Sequence, residues 1–254
     1  MSQWIIAMFS PTGNTARIAR AIAKGTGADI RDIDLSAPVA AETVPADAVL
    51  LAVVPVFGGY VPAICLEHLA QLKGQGGTAV AVVVYGNRAY DNALAQLKVA
   101  LEQNGFRVPA AAAFVAEHSI IRTIAAGRPD ENDLKAAEDF GAAAAAKLAK
   151  AEAEQTAIQV PGDPTPPEGK GGIPASVQAS DKCVKCGACA AVCPVGAIPA
   201  EDPSKTDGSK CIKCMRCVSV CPQQARNLPA PALMMIGGML KMKASAPRQP
   251  ELFL

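Results

Sequence analysis

The sequence predicts a three-layer α/β domain followed by a small cysteine-rich module, and three observations predict it. Apolar runs alternate with helical patterns over about the first 150 of 254 residues. A Pro/Gly-dense stretch, 159–179, then interrupts the chain. Beyond it eight of the nine cysteines fall in one short segment.

The elements follow in order. Residues 4–9 form a short apolar strand, and a loop leads into a helical pattern at 15–24. Residues 28–35 alternate, with Asp29, Arg31 and Asp32 among them, as a strand near a sheet edge does. Residues 48–54 and 78–85 are continuous apolar runs, the pattern of central parallel strands covered on both faces. A helix is expected between them at 63–73. The next spans 92–104, stopped by Gly105, with a fifth strand at 107–117. Residues 119–129 read as a loop, and 131–154 as a long Ala-rich helix whose charges form a solvated face. Five strands interleaved with helices imply right-handed crossovers and a parallel sheet. The expected division is 1–155 for this domain, 156–179 for the linker, 180–227 for the cysteine module and 228–254 for a tail. The tail's apolar run 232–240 is too short to span a bilayer and is expected to pack back on the protein.

Composition narrows the function. Lys and Arg number 24 against 23 acidic residues, so the chain as a whole gives no reason to expect nucleic acid. The uncharged stretch 49–66 is broken by Pro55, Gly58, Gly59 and Pro62, which argues against a membrane span. The start lacks a basic, apolar export leader, so a cytoplasmic, thiol-reducing location is expected and clustered cysteines read as metal ligands.

Cys183, Cys186, Cys189 and Cys193-Pro194 recur, with identical spacing 28 residues later, as Cys211, Cys214, Cys217 and Cys221-Pro222. Three thiolates at x₂ spacing converge as the corners of a [4Fe–4S] cubane require, and in this run the fourth ligates the other cluster. One cluster is therefore expected on Cys183, Cys186, Cys189 and Cys221, the other on Cys211, Cys214, Cys217 and Cys193. Zinc or disulfides are the competing readings, but zinc rarely uses this doubled frame and no histidine lies nearby. The segment resembles bacterial two-cluster ferredoxins over about 45 residues, including the turn Cys193-Pro-Val-Gly-Ala-Ile198. It departs from acidic relatives. Residues 181–226 carry Lys182, Lys185, Lys205, Lys210, Lys213, Arg216 and Arg226 against Asp181, Glu201, Asp202 and Asp207. That charge favours a reduced cluster and would steer a redox partner with an acidic docking face.

In the first domain, Ser10-Pro11-Thr12-Gly13-Asn14-Thr15 precedes a helix, where hydroxyls and backbone N–H groups form an anion site. Two more loops follow the third and fourth strands, where open α/β sheets bind ligands. They are Pro55-Val56-Phe57-Gly58-Gly59-Tyr60 and Tyr85-Gly86-Asn87-Arg88-Ala89-Tyr90-Asp91, each combining glycines with aromatics. Together the loops resemble those of flavodoxins, over about 150 residues. The resemblance implies a doubly wound sheet of order 2-1-3-4-5. It also implies FMN, with Ser10, Thr12, Asn14 and Thr15 on the phosphate and Gly13 allowing its approach. Phe57 and Tyr60 or Tyr90 would line the ring, and Gly86 and Asn87 would face its polar edge. Arg88 replaces the acidic run of that family and would stabilise reduced flavin or grip a substrate. A flavodoxin-like domain without flavin is the alternative, set against three loops that keep binding-competent residues.

Cys65 is expected to be a small buried hydrophobe, His68 a residue of the same helix, and His118 a strand-end hydrogen-bonding group or proton donor. The whole resembles flavodoxin–ferredoxin fusions of anaerobic prokaryotes. The expectation is an electron-transfer protein joining two [4Fe–4S] clusters to FMN. Its rivals are a flavin-dependent reductase of a small organic substrate and a redox-sensing binding module. Oligomeric state stays open, a dimer included.

Overall fold

The computed structural model describes residues 3–150, 157–166 and 175–254. The first domain runs β1 (Trp4–Met8), α1 (Asn14–Thr26), β2 (Ile30–Asp34), β3 (Glu42–Thr43), β4 (Val49–Pro55) and α2 (Ala63–Leu69). It continues with β5 (Leu72–Lys73), β6 (Thr78–Tyr85), α3 (Ala93–Gln103), β7 (Arg107–Val115) and α4 (Glu131–Leu148). The C-terminal part adds β8 (Gln178–Ala179), α5 (Ala188–Ala191), α6 (Arg216–Ser219), β9 (Arg226–Asn227), α7 (Ala230–Lys243) and β10 (Glu251–Phe253).

The main sheet has the order β10-β7-β6-β4-β1-β2. Its five long strands are mutually parallel and, numbered among themselves, follow the expected 2-1-3-4-5 order. Period-two alternation sends each central strand to both faces. In β4, Leu50, Ala52 and Val54 join the core under α2 and α3, while Val49, Leu51 and Val53 join the core under α1 and α4. Covering both faces is why β4 and β6 read as unbroken apolar runs. β2 keeps its alternating polar residues because it is the sheet edge.

Where α1 crosses α4 the backbones touch. A methyl on Gly25 would overlap the Glu138 carbonyl, and one on Gly141 would overlap the Ile22 carbonyl. Both obstacles are main-chain atoms that cannot rotate away. Gly141→Ala is expected to destabilise the domain by about 1–3 kcal/mol, read as a lower denaturation midpoint; an unchanged midpoint would contradict this close crossing.

Three features differ from the sequence expectation. The helix expected at 63–73 stops at Leu69, and Leu72–Lys73 instead pairs with Glu42–Thr43 as a two-stranded ribbon. The α4 helix ends at Leu148; residues 151–154 of the expected helix lie outside the described residues. The tail contributes structure of its own. The apolar run lies in α7, and Glu251–Phe253 pairs antiparallel with Ala113–Ala111, covering the outer edge of β7. An uncovered edge strand invites intermolecular pairing, so this strand also protects the sheet. Among the described residues no helix is long and apolar enough to cross a membrane.

Candidate cofactor sites

The cysteine repeat is a repeat in three dimensions. Left-handed backbone occurs at Lys185, Gly187 and Gly196 in the first half, and at Lys213, Met215 and Gln224 in the second. Each pair lies 28 residues apart, as the cysteines do. These turns, two before and one after the four-residue helix α5 or α6, fold each cysteine run around one volume. The β8–β9 ladder ties the module's two ends together.

Two cavities result. One is lined by Cys183, Cys186, Cys189 and Cys221; the other by Cys193, Cys211, Cys214 and Cys217. Each therefore takes three cysteines from one run and the fourth from the other. The cysteines ring a volume, and among the described residues no group of His, Cys, Asp or Glu converges on a single ion position. Symmetric backbone donors reach the crossing sulfurs: the Ala197 N–H bonds Cys193 Sγ and the Ala225 N–H bonds Cys221 Sγ, both at 3.3 Å. Such N–H···S bonds are one of the levers that set cluster potentials. Burial pushes the Cys214 thiol up to about 11 and the Cys217 thiol up to about 12. As free thiols both are protonated at neutral pH, so binding iron there must release protons.

The module sits on the ligand end of the sheet. Cys214 belongs to the same apolar core as Tyr85 and Tyr90, and Val195, Ile212, Val56 and Phe57 pack against that core. Ser219 Oγ lies 3.4 Å from the Pro11 carbonyl oxygen, in the loop after β1. The cavity of Cys193, Cys211, Cys214 and Cys217 is thus the inner one. The other faces outward, with Cys186 exposed and Val184 63% accessible beside it.

A third cavity opens where β1, β4, β6 and β7 end. Pro11, Thr12, Asn14 and Thr15 line one side, Pro55, Val56 and Phe57 a second, and Val84, Tyr85 and Gly86 a third. Ala116, Glu117, His118 and Ser119 close it. Gly13, at φ +92°, precedes α1, whose first-turn N–H groups have no intrahelical acceptors. Methyls built on Gly13 or Gly58 would meet nothing within 4 Å, so both loops leave room for an approaching group. Ser10 does not line the cavity; its Oγ accepts from the Ala16 N–H at 2.9 Å and caps α1.

His118 contributes a fixed donor. Its Nδ1 accepts from the N–H groups of Ile120 and Ile121 at 3.2 and 3.1 Å, which leaves the ring proton on Nε2. Burial pushes its pKa down to about 4. The folded ring resists protonation, so between pH ~6.5 and about 4 the unfolded chain binds more protons and stability falls as pH is lowered. An NMR titration of the ring protons is expected to place this histidine near 4; titration near 6.5 would contradict its buried, neutral state.

The third sequence loop divides. Tyr85 and Gly86 line the cavity, while Asn87, Arg88, Tyr90 and Asp91 do not. Asn87 Nδ2 donates to the carbonyls of Ala244 and Ala246, at 2.8 and 3.0 Å, and its Oδ1 accepts from the Arg248 N–H. Tyr90 Oη donates to Glu251 at 2.6 Å, and Arg88 pairs with Asp91. This loop anchors the returning tail. In the second loop, Phe57 and Tyr60 are bridged across Gly58-Gly59, and Tyr60 Oη accepts from Asn92. Tyr60, Gly58 and Gly59 thus shape the turn behind Phe57 without lining the cavity. Pro11, Val84 and residues 116–119 were not singled out in the sequence, His118 apart, because no glycine–aromatic pattern marks them. Cys65 is buried on α2, and His68 Nδ1 meets the Leu35 carbonyl at 2.9 Å.

Residues 182–225 match the 4Fe-4S dicluster domain family model. No curated protein matches the chain. Similar solved structures include a flavodoxin from Archaea, 17% identical over 57% of this chain and 98% of its own, at a TM-score of 0.41. A Fusobacterium nucleatum flavodoxin variant bound to flavin mononucleotide is 16% identical over 59% and 98%, at 0.40. An FMN-dependent NADH-azoreductase from Bacillus anthracis is 11% identical over 59% and 100%, at 0.39. The main sheet thus has the 2-1-3-4-5 strand order of a doubly wound, flavodoxin-like α/β fold, and residues 182–225 match the 4Fe-4S dicluster domain family.

Proposed function

We propose that the protein transfers electrons between two [4Fe–4S] clusters and an FMN bound at the sheet's ligand end. The observation that carries the reading is the order of the three cavities: outer cysteine cavity, inner cysteine cavity, then the cavity at the ends of β1, β4, β6 and β7. Cys183, Cys186, Cys189 and Cys221 would hold the outer cluster, and Cys211, Cys214, Cys217 and Cys193 the inner one. The donor set at the sheet end suits FMN. Thr12, Asn14 and Thr15 with the α1 N-terminus would hold the phosphate, and Phe57 would flank the ring. His118, neutral with its proton on Nε2, would donate to an electronegative edge or to a reducible substrate. FMN exchanges one or two electrons and so suits a junction between one-electron clusters and a two-electron acceptor.

Exposed lysines around the outer cavity fit a partner with an acidic face. Lys185 and Lys205 share Asp202, at 3.2 and 3.5 Å, so that part of the charge is already offset within the chain. The reading as a flavin-dependent reductase gains support from His118, a cavity residue held as a proton-bearing donor. Anaerobic purification with cofactor analysis tests the proposal: about eight iron atoms and one FMN per chain are expected. Iron without flavin would reduce the protein to a ferredoxin on an empty scaffold.

A further inference from the structure

The two halves of the cysteine module match in spacing, in backbone turns and in their N–H···S bonds, but a charged residue breaks the symmetry at a buried pair. Five residues after Cys193 stands Ile198, 5% exposed, in the wall of the inner cavity. Five residues after Cys221 stands Arg226, 2% exposed, in the wall of the outer cavity. Ile198 therefore lines one cluster site where Arg226 lines the other, with one Arg226 partner, Thr206, in the wall of the inner cavity.

The partners of Arg226 are all neutral. One terminal nitrogen, Nη1, donates to Thr206 Oγ1 at 2.9 Å, and Nη2 donates to the carbonyls of Pro203 and Lys205 at 2.5 and 3.0 Å. The buried Nε–H has no partner among the described residues. No carboxylate pairs with it among the described ion pairs, and a buried cation without a counter-ion carries a large desolvation penalty. A cubane held by four thiolates has a net negative charge and sulfur acceptors, so a cluster in that cavity answers both needs.

We propose that Arg226 makes the two clusters inequivalent, holding the outer cluster's reduction potential above that of the inner one. The inference rests on the cluster assignment made above. One electron added to a cluster breaks no bond and raises its negative charge by one, so a fixed neighbouring cation and an N–H donor favour the reduced form. An apolar wall at Ile198 offers neither. The guanidinium also acts on Cys217 of the inner set, so the difference between the potentials, rather than either value, is the diagnostic. The first electron taken up then rests on the outer cluster, beside exposed Cys186, where a partner can reach it.

A redox titration of the anaerobic holoprotein, followed by EPR, tests this. Two one-electron steps are expected, separated by at least about tenfold in equilibrium constant, or about 59 mV. Arg226→Gln, which keeps amide donors for the carbonyls but removes the charge, is expected to bring the steps within tenfold at unchanged iron content. Arg226→Lys should retain part of the separation. A separation unaffected by Arg226→Gln would overturn the proposal. A second measurement needs no variant. In the half-reduced wild type, paramagnetically shifted cysteine protons should place the electron on the set Cys183, Cys186, Cys189 and Cys221; placement on the other set, or an unsplit titration, overturns it. Iron far below about eight per chain would refute the underlying cluster assignment, separately from the order of potentials.

Discussion

Replacing Cys221 with serine is expected to empty the outer site, built mainly from the first cysteine run, although Cys221 belongs to the second. The reason is the crossing: Cys221 lines the cavity of Cys183, Cys186 and Cys189, with its sulfur fixed by the Ala225 N–H. Serine offers iron a harder, less acidic donor, and the remaining three cysteines leave one corner of the cubane unheld. Iron should fall from about eight to about four per chain while the inner cluster and the flavin remain. Cys193→Ser should do the converse, emptying the inner site. Unchanged iron in both variants, or loss of the cluster on Cys211, Cys214 and Cys217 in Cys221→Ser, would contradict the crossing. Because metal binding is coupled to folding, the variant should also lose thermal stability in its C-terminal part first.

The second large effect is expected at Gly86. Its added methyl would lie 2.6 Å from His118 Cδ2 and 2.9 Å from His118 Cα. The first atom belongs to a ring pinned by two backbone N–H groups, and the second is main chain, so neither yields without moving the loop after β7. Both residues line the same cavity, and the displacement is felt at its wall. Gly86→Ala should weaken FMN binding by about a hundredfold, roughly 2.7 kcal/mol, in a fluorescence titration of flavin-free protein. Iron content should not change, since residue 86 touches neither cysteine cavity. Equal affinity in variant and wild type would mean that FMN binds elsewhere. The two substitutions are therefore expected to separate the cofactors, one losing iron and keeping flavin, the other the reverse.

How much of this was legible depended on the range of the interactions. The strands of the main parallel sheet were visible because each buries its residues on both faces, or alternates at the edge, within a few consecutive positions. The cysteine repeat was visible because its spacing lies within one short segment, and the structure divides those cysteines three and one between two cavities. The β3–β5 ribbon was not, since two-residue strands show no period. β10 has three residues and gains its structure only from the β7 edge. The loop at 85–91 shows the limit most clearly. Its glycines and aromatics suit a ring site, yet Asn87 and Tyr90 spend their hydrogen bonds on residues more than 150 positions away in the tail. Nothing local marks that commitment. Arg226 was countable as one basic group among seven, whereas its burial opposite Ile198 emerges only from the folded repeat.

The central claim is that electrons pass between the clusters and the flavin within one chain. Rapid mixing of the anaerobic holoprotein with a one-electron donor, with cluster and flavin absorbance followed together, tests it most directly. Flavin bleaching is expected to follow cluster reduction at a rate independent of protein concentration, and to slow strongly in Cys193→Ser, which lacks the inner cluster. Bleaching at the same rate with and without that cluster, or at a rate proportional to protein concentration, would contradict the account.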